Sequence, residues 1–434
     1  MPALDDALAD AARRRLFDTM ACFVAGASAD EGQLMLRLLQ ASSGRSPAAA
    51  DLVRYACAAT RHTEIDDIHI QSCTTVGSMV VPTALIAAAF QPDGEVDEAD
   101  VLRAIVAGYE AMASLGMAVD GAIRIYQGTW STYLTAPFAA AAAVARLTKL
   151  AAGQTANALA IAASRCVGTT GRMGGPTTSR WFTTGCAAAD GFLAGRSAAL
   201  GMIGDPGVLE QPFQQGTGIE VKPEPLAGNQ DGRWRILDID TKPYRTGRQA
   251  LSATDAFIRV IDSHPDDIID AIAVGVPGQV KAMVDRPELP ANSMPGGVQY
   301  QLALALNDRL GLFDVGHRRQ HDTQNLTPLM SKVKVSEEAK LTSLYPNQWG
   351  GHVEVRWANG TKAEAEVLDP RGSSRAPYDW KQLLDKHQQV AEAISGLDAW
   401  LEPLQHVCRD FGRPGKNRSR ELLRLLPGME LLAS

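Results

Sequence analysis

Between Ala7 and Leu200 the chain is a succession of helix-length apolar segments dominated by alanine, several of them separated by glycine or Pro-Gly pairs. They run Ala7 to Ala25, Pro47 to Ala58, Val80 to Phe90, Glu98 to Leu115, Tyr133 to Ala151, Thr155 to Ser164 and Gly185 to Leu200. Alanine loses no side-chain entropy in a helix and adds almost no bulk, so helices written this way bring their backbones close together. The second segment opens on Ser46-Pro47, an N-cap followed by proline at the first helical position. The pattern predicts an all-helical first domain of closely packed helices.

The texture changes after Thr241. Ile272 to Val276 and Lys332 to Val335 are rich in β-branched residues. His352 to Trp357 and Lys362 to Val367 alternate on either side of Asn359-Gly360. An Asn-Gly pair between two period-2 segments predicts a hairpin with a type I′ turn. Trp380 to Leu397 and Ser419 to Leu432 return to helical spacing. The expected organisation is a mainly α protein: a helical domain over residues 1–250, a smaller α+β domain over 251–378, and C-terminal helices over 379–434 that return to the first domain.

Composition removes several function classes. The 434 residues carry 42 Lys plus Arg against 49 Asp plus Glu, a net charge of -7, with no basic run, so nucleic acid is not an expected partner. Six cysteines lie scattered without C-x-x-C spacing, which argues against a disulfide framework or a zinc site and suits a reduced, cytoplasmic setting. Met1 to Arg15 mixes Asp5, Asp6 and Asp10 with Arg13, Arg14 and Arg15 and lacks the apolar core of a signal peptide. The apolar runs Met79 to Phe90 and Ala136 to Ala145 are too short to span a bilayer, so no membrane role is expected.

Chemistry concentrates between Glu64 and Ser78. Glu64, Asp66, Asp67 and His69 fall within six residues, immediately before sequence that must be buried. Grouped carboxylates at the edge of a core are costly unless they are paired, solvated or used. The plainer alternative is that Asp66 or Asp67 caps the following helix. No G-x-G-x-x-G after a strand, Walker loop, G-x-S-x-G or H-E-x-x-H occurs. The glycine-rich stretch from Gly168 to Pro176 reads as a connection bordering a site. His62 and His69 lack a third ligand at a suitable spacing, so a metal-independent enzyme is expected. Arg180 precedes a small-residue helix, and Lys242-Pro-Tyr-Arg-Thr-Gly-Arg248 gathers three cations and a tyrosine. Guanidinium groups hold carboxylates bidentately, so these segments point to a small polyanionic substrate.

The residues then resemble a known family. Leu16-Phe-Asp-Thr-Met-Ala-Cys-Phe-Val-Ala-Gly26, the Glu64-Ile-Asp-Asp-Ile-His69 segment with Gly77-Ser78 and Pro82, and Ala107-Gly-Tyr-Glu110 are similar to segments of the MmgE/PrpD family. So are Gly201-Met-Ile-Gly-Asp-Pro-Gly-Val-Leu-Glu210, Lys242-Pro-Tyr244 and Pro370-Arg-Gly372. The resemblance runs in order through nearly the whole chain. That family includes 2-methylcitrate dehydratase, cis-aconitate decarboxylase and iminodisuccinate epimerase. The resemblance implies a large helical domain, a smaller α+β lid domain, a homodimer, and no metal or organic cofactor.

Carried over by position, the family's site carboxylate falls on Glu64, beside Asp66 and Asp67. Its two lysines fall on Arg180 and Lys242, and its tyrosine on Tyr300. Three family histidines are replaced, by Thr75 in Thr75-Val-Gly-Ser78, by Trp130 and by Thr183. The side chains that move protons near neutral pH are therefore absent from those positions. What remains to relay protons is Glu64, Asp67, His69, Lys242, Tyr126 and Tyr300.

The lead expectation is an epimerase- or isomerase-like enzyme that removes a proton α to a carboxylate of a small di- or tricarboxylate. Arg180 and Lys242 hold the carboxylates, and Glu64 or Asp67 opposes Tyr300 as the proton-transfer pair. Thr75, Ser78, Tyr126, Trp130 and Arg248 complete the expected substrate contacts. The alternatives are a lyase, dehydratase or decarboxylase, in which His69 replaces the lost imidazoles, and a catalytically silent binding protein on the same fold.

Overall fold

In the computed structural model, which describes residues 4–43, 47–168, 178–228, 232–264, 268–289, 297–316, 323–394, 397–414, 416–424 and 426–429, most of the alanine-rich segments are helices. Ser46 and the stretch from 169 to 176 lie outside the described residues, so the N-cap and most of the glycine-rich connection expected from sequence do too. The chain divides into two units. The first takes the described residues up to Ile239 and those from Leu397 onward, and the second takes those from Asp240 to Ile394.

The longer helices of the first unit up to residue 200 are α1 (Asp6–Ser28), α2 (Asp30–Ser43), α3 (Ala49–Arg61), α4 (Gly77–Ala89), α5 (Glu98–Ala118), α6 (Ser131–Leu147), α7 (Ala152–Ala163) and α8 (Ser179–Ala199). Asp5 caps α1 by accepting the Leu8 N–H at 2.7 Å, and Asp97 caps α5 in a reciprocal box with Asp100. α6 packs against both α5 and α8, and α8 lies along α3. The approach is close because α8 has a glycine where it meets α3: a Cβ at Gly185 would collide with the Arg54 carbonyl. α4 is buried along its whole length. Among the described residues only α5 is long and apolar enough to cross a membrane, and most of it is enclosed by the fold.

Two sequence expectations need correction here. The segment predicted to run from Tyr133 to Ala151 breaks at Leu147, where Lys149 adopts a left-handed φ of 54° and separates α6 from α7. The first unit is also not purely helical, because Ile68–His69 is a two-residue strand and His69 bridges Thr74.

The second unit opens on α9 (Arg248–Asp262), which packs on a four-stranded sheet of β1 (Ile269–Val276), β2 (Val333–Glu337), β3 (Gly351–Trp357) and β4 (Lys362–Val367). The strand order is β2-β1-β3-β4, with β1 and β2 parallel and the other pairs antiparallel. β3 alternates buried and less buried residues, as a one-faced sheet requires. The hairpin at Asn359-Gly360 forms, but its turn is not type I′. Only Gly360 has positive φ (85°), and its N–H reaches the Trp357 carbonyl while Thr361 pairs with Trp357. That is a type I turn closed by a left-handed glycine.

The sequence-based limits at residues 250 and 378 differ from the observed ones. Asp240 already belongs to the second unit, where it holds Arg248 and the Ser374 N–H. Helix α10 (Trp380–Ala393) stays there as well, packing on the 309–313 turn. Two C-terminal helices, α11 (Asp398–Arg409) and α12 (Ser419–Arg424), pack on α1 and α4 of the first unit. Arg418 fastens this tail by gripping the fully buried Glu98 through Nε at 2.5 Å and Nη2 at 3.1 Å. The protein is thus mainly α with a smaller α+β C-terminal domain.

Candidate active site

α3 ends on Arg61, and the chain then turns through a buried acidic loop to reach α4. Glu64 is held at φ 55°, a left-handed conformation that costs a residue with a Cβ and persists only where its surroundings impose it. Its carboxylate meets Arg61, one helical turn earlier. Its Nη1 lies 3.0 Å from the Glu64 carboxylate and 3.4 Å from Asp66 Oδ1, and all three side chains are buried. Burial alone would push the Arg61 guanidinium down, but Asp66 and Glu64 outweigh it and hold the group above its ordinary value. Leaving either carboxylate here without its arginine would cost about 3–5 kcal/mol.

Arg61 also meets aromatic side chains. Its guanidinium lies 5.5 Å from the ring of the fully buried Trp181, and Arg180 lies 4.3 Å from the same ring. Arg180 also sits 5.7 Å from the Trp130 ring, and Trp130 stacks on Tyr133 at 5.6 Å between centroids. Burial raises the Tyr133 hydroxyl above its ordinary pKa, the charges of Arg61 and Arg180 oppose that, and Glu64 adds to it. Tyr133 thus feels both arginines and Glu64 at once. The close contact of α8 with α3 at Gly185 brings Trp181 onto Arg61, and the start of α6 supplies Trp130 and Tyr133.

Asp67 does different work from Glu64. Its Oδ1 accepts the Gly77 N–H at 2.8 Å and its Oδ2 accepts the Tyr109 hydroxyl at 2.5 Å, so it ties the start of α4 to α5. Burial pushes its pKa up to about 6, against the pull of Arg15, Tyr109 and the Gly77 N–H. The backbone crowds it: a Cβ on Gly77 would lie 2.5 Å from Thr19 Oγ1 and 2.9 Å from Asp67 Oδ2. The simpler sequence reading, a carboxylate capping the following helix, thus describes Asp67 well.

His69 is fully buried. Its Nδ1 lies 2.8 Å from Ser72 Oγ, and Nε2 has no hydrogen-bond partner among the described residues. Burial, and secondarily the charge of Arg235, lowers its pKa to about 3. The imidazole is therefore neutral at physiological pH and a poor proton donor, because its protonated form is costly to populate. His62 does not join it as a ligand, since its Nε2 is on the Gly26 carbonyl at 2.8 Å. Thr75 pairs with Thr132 through its N–H at 3.0 Å and its hydroxyl at 3.1 Å, and Ser78 donates to the Thr75 carbonyl at 3.2 Å. Tyr126 is half-buried in the short turn Ile125–Gln127.

The remaining expected residues lie in the second unit. Lys242 is buried, and Tyr300 is buried near the start of the helix Val298–Asn307. Burial pushes the Tyr300 hydroxyl up to about 12, opposed by Arg245 and reinforced by Asp314 and Asp308. Arg248, expected as a substrate contact, is spent on structure. Its Nε is 2.8 Å from Asp240, its Nη1 is 3.3 Å from Ser252 Oγ and 3.2 Å from the Trp349 carbonyl, and it is 1% exposed.

The sequence reading passed over Arg61, Tyr133 and Trp181 and offered Asp66 only as an alternative helix cap, whereas it pairs with Arg61. Arg61 was findable, because Arg61 and Glu64 stand three residues apart at a helix end. Tyr133 and Trp181 carry no local signal, and only packing brings them together.

Compared with known families, the chain matches the MmgE/PrpD N-terminal domain over residues 1–218 and the MmgE/PrpD C-terminal domain over residues 244–399. No curated protein matches it.

Proposed function

We propose, from the premise that this chain belongs to the MmgE/PrpD family, whose members are generally enzymes acting on carboxylic acids, that it removes and returns a proton α to a carboxylate of a small di- or tricarboxylate. The observation that carries the reading is the buried group of Glu64, Arg61, Arg180 and Tyr133, with Glu64 in a conformation its own backbone disfavours.

In this reading Arg180 binds a substrate carboxylate. Glu64, fixed by Arg61, takes the α-proton, and the electron pair of the broken C–H bond moves onto the carboxylate as an enediolate that the guanidinium stabilises. Tyr133, protonated at neutral pH because burial raises its pKa, gives a proton back to carbon. Donation from the face opposite Glu64 inverts the centre, and exchange with solvent resets both groups.

Incubating the protein with small polycarboxylates in D₂O tests this. Deuterium should enter the α position without loss of water or CO₂, and Glu64→Gln should slow exchange by about 10²- to 10⁴-fold. Release of water or CO₂ would replace this reading with a lyase. Binding without exchange in the unaltered protein would leave a silent binding protein.

A further inference from the structure

A cavity of about 820 Å³ opens in the first unit, away from the Glu64 loop. On α5, Tyr109 turns to Asp67, whereas Ala107 and Ala111 line the cavity. Phe138 and Ala142 of α6, Leu159 of α7 and Leu209 complete a largely apolar wall. The volume lies within the usual range for small-molecule sites, which pair such walls with a few polar groups.

The polar groups here are unevenly matched. Arg146 lines the cavity, is half-buried, and makes no hydrogen bond or ion pair among the described residues. Asp100, the carboxylate whose charge acts on Arg146, is already taken: Oδ1 by Arg103 at 2.7 Å and Oδ2 by Lys149 at 2.9 Å. Burial and the charge of Arg103 accordingly weaken the Arg146 proton's hold. A half-buried guanidinium beside apolar surface, with its neighbouring carboxylate occupied, is stabilised by an incoming anion. Glu110 lines the same cavity, accepting the Arg235 N–H at 2.9 Å. Its charge disfavours a second negative group on the ligand.

We propose that this cavity binds an amphipathic monocarboxylate, with the head group on Arg146 and a straight saturated chain along the alanine-lined wall. The ligand class differs from that at the Glu64 cluster, where polar groups surround the site and a second carboxylate is welcome.

Calorimetric titration of the full chain with octanoate, decanoate, decanol and sebacate tests the proposal. Decanoate should bind at least tenfold more tightly than decanol or sebacate, and about fourfold more tightly for each CH₂ gained from octanoate. Arg146→Gln should remove the preference for decanoate over decanol while decanol still binds, which also shows that the variant is folded. Arg146→Lys should restore part of that preference, and Ala142→Phe should abolish binding of both ligands with Glu64-dependent exchange unchanged. Equal affinity for decanoate and decanol, no effect of Arg146→Gln, or no binding because a second copy of the chain covers the cavity, as read by sedimentation, would overturn it.

Discussion

Glu64 adopts a left-handed backbone conformation, and the Nη1 of Arg61, one helical turn before it, lies 3.0 Å from its carboxylate. The pair is buried, so each partner is tolerable mainly because of the other. Arg61→Met should therefore destabilise the protein by about 3–5 kcal/mol in urea unfolding, because it strands two carboxylates. Glu64→Gln should cost less, since Asp66 still balances Arg61. The double variant should show a coupling of about 1–3 kcal/mol, and simple additivity would show that Arg61 does not hold the Glu64 loop.

Asp67 predicts an unusual pH dependence. Its folded pKa is about 6 against 3.8 for the ordinary group, so between those values the folded state binds more protons than the unfolded one. Its contribution to stability is therefore present at low pH and lost as pH rises through about 6, by about 3 kcal/mol in all. Asp67→Asn keeps a carbonyl oxygen for the Gly77 N–H but has no proton to lose. The stability difference, unaltered protein minus variant, should fall from pH 4 to pH 6.5 in denaturant titrations. A constant difference would contradict the assignment.

His69 has the opposite sign. Its folded pKa of about 3 lies below the ordinary 6.5, so the unfolded state binds more protons in that window. Its contribution is complete above pH 6.5 and is lost as pH falls toward 3, with about 2 kcal/mol gone by pH 5. His69→Gln should unfold less steeply on acidification. If both proteins show the same midpoint shift between pH 6.5 and pH 5, the imidazole is not buried and neutral as described.

Arg248 separates structure from substrate binding. With Asp240 at 2.8 Å and both groups buried, Arg248→Met should lower stability by about 3–5 kcal/mol, and adding Asp240→Asn should recover most of that. KM for any substrate turned over should stay within about twofold in the double variant. A tenfold rise in KM at preserved stability would return Arg248 to the substrate site.

Local sequence determined the elements. Alanine-rich periodicity places α1, α3, α5 and α8 within a few residues of their observed limits at most ends, and alternation places β3 and β4, because both patterns are read over one or two turns or strand lengths. Sequence also marked Glu64 to His69 as a cluster that burial makes costly. It did not distinguish the members of that cluster. Glu64 faces Arg61, which lies against Trp181, Asp67 anchors a helix start, and His69 is locked neutral, although all three lie within six residues. Only the tertiary structure decided among them, because what sets them apart arrives from tens of residues or more away along the chain: the Tyr109 hydroxyl on Asp67, the Trp181 ring beside Arg61, and the charge of Arg235 acting on His69.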